Sequence, residues 1–172
     1  MAEVNSLSEQ YKEGMLFLHE QLVAIINQMT IPLIEVSLVI SKYTKTLTSR
    51  LIENAANFGE LIPDVLLTPQ PLEDIGKEQA AQVQTNDGEE VVNGSMINPI
   101  AQMDPSILIS RTDIDRMDIL DTVIRTAINS KEIPLINSLH VLRDWEHLVR
   151  IQLAKAKTPG QLFSPLEIPD GY

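Results

Sequence analysis

Ile26-Asn27-Gln28-Met29-Thr30-Ile31-Pro32-Leu33-Ile34 and, 102 residues later, Ile128-Asn129-Ser130-Lys131-Glu132-Ile133-Pro134-Leu135-Ile136 are two versions of one phrase. Each carries an apolar helical stripe into an Asn and then into an Ile-Pro pair. The residue before a proline is pushed out of the helical region, and proline suits a helix's first turn but costs about 3 kcal/mol in its interior. Asn tolerates the left-handed conformation that ends helices. The phrase therefore predicts a short turn joining two helices, at Pro32 and again at Pro134. A proline kink within one long rod is the competing geometry.

The same offset aligns Met15 with Met117, Leu18 with Leu120, Val39 with Val141, Tyr43 with Trp145 and Leu51 with Leu153, without a gap. Repetition of this kind points to symmetric packing of repeated elements. Before the first turn, Met15, Leu18, Leu22, Ile25, Ile26 and Met29 recur at steps of three and four, the mark of a helix with one buried stripe; Ile114, Met117, Leu120, Ile124, Ala127 and Ile128 repeat it. Thr112 is placed to cap that second helix, with Asp113, Asp115 and Asp118 near the positive end of its dipole. After the turns, Leu33, Val36, Val39, Ile40, Tyr43, Leu47 and Leu51 match Leu135, Leu139, Leu142, Trp145, Val149 and Leu153. Taken alone, Ile34 to Ile40 reads as a strand, but its counterpart Ile136 to Leu142 does not alternate, so both are read as helices.

Between the units, Pro69, Pro71, Gly76, Gly88, Gly94, Pro99 and Pro105 are set among Glu, Asp, Gln and Asn. Glu73 to Ser95 is too poor in apolar residues to offset ordering entropy of about 1–2 kcal/mol per residue. The expected organisation is all-α: a helical hairpin over 1–64, an acidic flexible linker over 65–108 and a second hairpin over 109–172, packed as a pseudo-twofold four-helix arrangement, within one chain or exchanged between chains. Val65-Leu66-Leu67 and Ile107-Leu108-Ile109 are expected to dock on the bundle. A further echo, Phe58-x-x-Leu61-Ile62-Pro63-Asp64 and Phe163-x-x-Leu166-Glu167-Ile168-Pro169-Asp170, reads as a strap that buries its Phe on the helix pair, with a docking tail as the competing reading for the second copy.

Aromatic residues make up 4% of the chain against 44% apolar, so the interior must be aliphatic, and with no cysteine there are no disulfides, thiolate metal sites or cysteine nucleophiles. The polar start shows no targeting pattern, and His19, Glu20, Asn27 and Glu35 interrupt the longest apolar stretch, which argues against a membrane span. Cytoplasm, or the interior of an assembled particle, is the expected location. Net charge is −11, most of it from residues 62–110, which disfavours broad nucleic-acid binding.

Three polar constellations compete for a chemical role. Asp115, Asp118 and Asp121 form a helical carboxylate ladder of a kind that suits Mg²⁺ in an all-α nucleotide hydrolase, although aspartates gather in first turns for dipole reasons alone. His140, Asp144 and His147 share a helix face at metal-ligand spacing. Arg143, Arg150, Lys155 and Lys157 make a basic strip that suits phosphate or a nucleic-acid-associated role, and equally a helix C-terminus. None of the three recurs in the other unit, whereas the packing residues do. The reading is therefore a non-enzymatic assembly or adaptor subunit, without cofactor or metal, that binds copies of itself or other protein subunits; a phage or macromolecular-machine component falls within this class. Ile34, Leu38, Val39, Ile40, Tyr43, Ile136, Trp145, Phe163, Leu166 and Ile168 are its interface candidates.

Overall fold

The computed structural model describes residues 2–72, 103–158 and 160–163, with side chains from Ser6 onward. Its regular elements are helices: α1 (Ala2–Met29), α2 (Leu33–Phe58), α3 (Asp64–Leu67), α4 (Pro105–Ser110), α5 (Ile114–Ser130) and α6 (Leu135–Lys155). Among the described residues the one isolated β-bridge pairs Pro32 with Leu162. Ile34 to Ile40 lies within α2, where burial of one helical stripe overrides the local strand preference. Most of the expected linker, 73–102, falls outside the described residues. Its flanks are α3, which buries Leu66, and α4, whose Ile107 and Ile109 stay exposed rather than docked.

Both Ile-Pro phrases make turns, and the two turns share one backbone geometry. The left-handed residues are Thr30 and Glu132, each at φ 48°, rather than Asn27 and Asn129, which remain helical. The reason lies in how the carbonyls at a helix end find donors. Ile31 N–H reaches back to the Ile26 carbonyl at 3.2 Å, and Ile133 N–H to that of Ile128 at 3.0 Å. This six-residue closure requires the left-handed residue immediately before the donor. The end of α2 closes in the same way, with Gly59 at φ 66° and Glu60 N–H on the Ala55 carbonyl at 3.0 Å. Pro32 and Pro134 then hold the chain extended before the next helix starts. At α5 the cap is Asp113, which accepts from Arg116 N–H at 3.2 Å, one residue later than the expected Thr112. Thr112 instead donates to the Ile109 carbonyl, ending α4.

Helices joined by a turn touch each other little. α1 packs mainly on α5 and α2 mainly on α6, with smaller contacts of α1 on α6 and α2 on α5. Thr44 meets Glu146 and Thr48 meets Arg143, so α2 and α6 run antiparallel. One core results, in which Leu18, Leu22, Val36 and Ile40 meet Leu120, Ile124, Leu139, Leu142 and Trp145. At Gly14 an added Cβ would stand 3.1 Å from Ile133 Cγ1, so a glycine admits the second turn against α1. No helix among the described residues is long and apolar enough to cross a membrane.

A left-handed conformation costs an L-residue about 1–2 kcal/mol and a glycine little. Thr30→Gly and Glu132→Gly should therefore each raise the unfolding free energy by up to about 1 kcal/mol, read from urea midpoints. Unchanged or lower midpoints in both variants would show that the turns are not strained.

Candidate functional site

The apolar interface candidates divide by burial. Val39, Ile40, Trp145 and Phe163 are interior, covered by this chain's own helices and by residues 161–163. Periodicity marks such residues as needing cover without saying whose, and here the cover is intramolecular. Ile34, Leu38 and Tyr43 are half-buried, Ile136 is half-exposed, and Leu166 and Ile168 lie outside the described residues. The two Phe echoes differ. Phe163 stacks on Trp145 with ring centroids 5.5 Å apart, and its segment caps α2, where Leu33 N–H donates to the Gln161 carbonyl at 2.8 Å. Phe58, expected to bury in the same manner, is 77% exposed, because α2 continues to this residue and carries it beyond the core.

The carboxylate ladder does not converge. Asp115 and Asp118 face solvent, while Asp121 accepts from Lys42 and Arg125 at 2.9 Å each. Among the described residues no group of three or more His or acidic side chains is placed to hold a metal ion. His140 Nδ1 stands 3.6 Å from Asp144, whereas His147 turns its Nδ1 into the interior.

The two arginines of the basic strip are spent on the chain itself, while Lys155 and Lys157 are exposed. Arg143, which is buried, donates to the carbonyls of Leu66 at 3.1 Å and Leu67 at 3.1 Å, to the Thr48 hydroxyl and to Glu146 at 2.6 Å. Arg150 donates to the Gln70 carbonyl at 2.6 Å. Together they hold residues 66–70 on α6 through backbone oxygens that α3, a single turn, leaves unpaired. That strap buries Leu66 and leaves Val65 exposed, and Leu61, which precedes it, is 98% exposed. Two partly exposed apolar residues, Ile34 and Leu108, line a shallow cleft with Pro32, Arg111, Thr112 and Gly160.

Two buried polar links escaped the sequence. Glu35, 1% exposed, receives Arg116 through both carboxylate oxygens at 2.7 Å and the Asp113 N–H at 2.9 Å. A lone Glu inside an apolar stripe was the available signal. The bond to Glu35 also raises Arg116's affinity for its proton. Trp145 Nε1 donates to His19 Nδ1 at 2.8 Å, which fixes the neutral tautomer with its proton on Nε2. The Tyr43 hydroxyl donates to the Asp121 carbonyl at 3.0 Å. Burial, with Asp121 adding to it, pushes the Tyr43 phenol up to about 12, so it remains a donor. Trp145 follows Tyr43 by 102 residues, Asp121 follows His19 by 102, and Thr44 bonds directly to Glu146, its own counterpart.

Two expectations follow. Arg143→Met should cost about 3 kcal/mol, since it strands Glu146 and two carbonyls in the interior, and should abolish amide-exchange protection over 66–70. Retained protection would show that Leu66 alone holds the strap. Burial lowers the His19 pKa below 6.5, against the raising pull of Asp144 and with a further lowering from His140. The unfolded chain thus binds the extra proton first as pH falls. Stability should be level above about 6.5 and decline below it toward the folded pKa, and His19→Gln should flatten that slope in urea titrations followed by Trp145 fluorescence. No protein-family model, curated protein or solved structure matches this chain.

Proposed function

We propose that the chain is a non-enzymatic helical assembly or adaptor subunit, acting in the cytoplasm or within an assembled particle, that docks apolar surface against copies of itself or a larger complex. The observation that carries this reading is the outward row Phe58, Leu61 and Val65. Scattered exposed apolar residues are ordinary, but here three large ones fall within eight positions, where the chain leaves α2 and enters the segment that Arg143 and Leu66 hold on α6. Ile34 and Leu108 offer further apolar surface, in a cleft beside Pro32 near the start of α2.

The reading includes a duplication with pseudo-twofold four-helix packing. Three things support it: matching φ at Thr30 and Glu132, the reciprocal Trp145–His19 and Tyr43–Asp121 bonds, and the direct bond between Thr44 and its counterpart Glu146, as expected of a pair close to a twofold axis. Burial of the repeated apolar side chains in one shared core supports a framework whose interior is given over to packing.

The test is light scattering across a concentration series, on the purified chain and on complexes taken from native extract. The unaltered protein should exceed the mass of one chain, alone or with a stoichiometric protein partner. Phe58→Ser/Leu61→Ser should remove that association while unfolding within about 0.5 kcal/mol of the parent, because both residues are exposed. A single-chain mass throughout, with no co-purifying subunit, would overturn the proposal.

A further inference from the structure

Between α2 and α5 lies a cleft of about 250 Å³, walled by Lys42, Tyr43, Leu47, Arg50, Arg125 and Ile128. Its floor is apolar: Leu47 is buried, and Tyr43 and Ile128 are half-buried. Its rim holds three cations and one carboxylate. Asp121 Oδ1 takes Lys42 and Oδ2 takes Arg125, each at 2.9 Å, so the acid orients two of the cations. Arg50 has no ion-pair partner among the described residues and is exposed. A local excess of positive charge on a chain of net −11 is contrary to its average character.

The 102-residue offset says what kind of group suits the floor. Tyr43, Leu47 and Ile128 correspond to Trp145, Val149 and Ile26, all buried. There, the Phe163 ring lies over Trp145, with an interplanar angle of 19°. Among the described residues no ring stacks on Tyr43, which lines the cleft instead.

We propose that this cleft binds a small organic anion, in which a phosphate or carboxylate is held by Lys42, Arg50 and Arg125 and a flat apolar group rests on Tyr43, Leu47 and Ile128. Guanidinium groups present paired donors that match the oxygens of either anion. The volume falls just below the range of roughly 300–1,000 Å³ that holds drug-sized ligands, so the ligand is of fragment size. An extended polyanion would meet the remaining acidic surface, whereas a compact one sits within about one Debye length, roughly 8 Å, of the three cations. The site does not depend on the assembly reading above.

The experiment titrates phenyl phosphate and, separately, phenylacetate into the full ¹⁵N-labelled chain. Saturable shifts of the Tyr43, Leu47 and Ile128 amides with at least one probe are expected, and the tighter probe identifies the anion. Arg50→Gln should weaken binding about tenfold while leaving the remaining spectrum in place, as fits the loss of one charge-assisted contact. Benzyl alcohol, which lacks the charge, and inorganic phosphate, which lacks the ring, should each bind more weakly than the preferred probe. Absence of saturable shifts with both aromatic anions at millimolar concentration, equal binding of inorganic phosphate, or indifference to Arg50→Gln would each overturn the proposal.

Discussion

The structure rests on a backbone constraint, the left-handed residue followed by a buried isoleucine and a proline. At Thr30-Ile31-Pro32 and at Glu132-Ile133-Pro134 the helix cannot continue, and the helices that meet there separate. Their apolar stripes then have no cover within their own unit and must find it in the other. The magnitudes show why the strained turns persist. Each costs about 1–2 kcal/mol in backbone energy, whereas each Leu or Ile side chain fully withdrawn from water contributes roughly 1.5–3 kcal/mol. Ile31, fully buried, and Ile133, nearly so, are themselves among those side chains, so each turn anchors the core it creates.

Apolar stripes alone would accept more than one register, and the polar links reduce that freedom. Glu35 is buried amid aliphatic side chains, and its two oxygens are satisfied only if Arg116 and the Asp113 N–H arrive together at the start of α5. A buried ion pair adds little net stability, but misplacing one partner costs several kcal/mol, so such a pair discriminates between packings more than it strengthens any one of them. At the matching place stands no ion pair but a weaker contact, in which Asn137, the counterpart of Glu35, donates to Met15 Sδ at 3.3 Å. Gly14 stands where the offset puts Arg116, and its lack of a side chain leaves room for Ile133. The His19–Trp145 and Tyr43–Asp121 bonds, by contrast, join residues related by the offset, although Trp145 bonds the His19 ring and Tyr43 the backbone carbonyl of Asp121.

Helix type and the positions of the turns were legible in the sequence because period and proline are local signals. Both Ile-Pro phrases became turns, and the stripes through Leu18 and Leu120 became core. What the sequence did not show was pairing between distant residues. Arg143 and Arg150 read as a basic strip because nothing near them announces that the carbonyls of Leu66, Leu67 and Gln70 will lie alongside. Asp121 read as one rung of an acidic ladder because Lys42 is 79 residues away. The left-handed residue was misplaced by three positions for a different reason. Preference for Asn is statistical, whereas the position is set by the bond from Ile31 N–H to Ile26, and Thr and Glu accept the strain.

The exposed apolar residues and the open cleft lie where the two segments related by the offset differ. The offset carries Phe58 onto Gly160, yet α6 stops at Lys155. In the second unit the freed residues turn back early enough for Gln161 to cap α2 and for Phe163 to cover Trp145. In the first unit the longer helix delivers its chain to α6 instead, where Arg143 receives it. That longer helix has two consequences. Phe58 and Leu61 are left outside the core, and Tyr43 keeps an open face bordered by Lys42, Arg50 and Arg125. Residues shared through the offset thus make the core, and the segments that differ account for the exposed Phe58 and Leu61 and for the ring that covers Trp145 but not Tyr43.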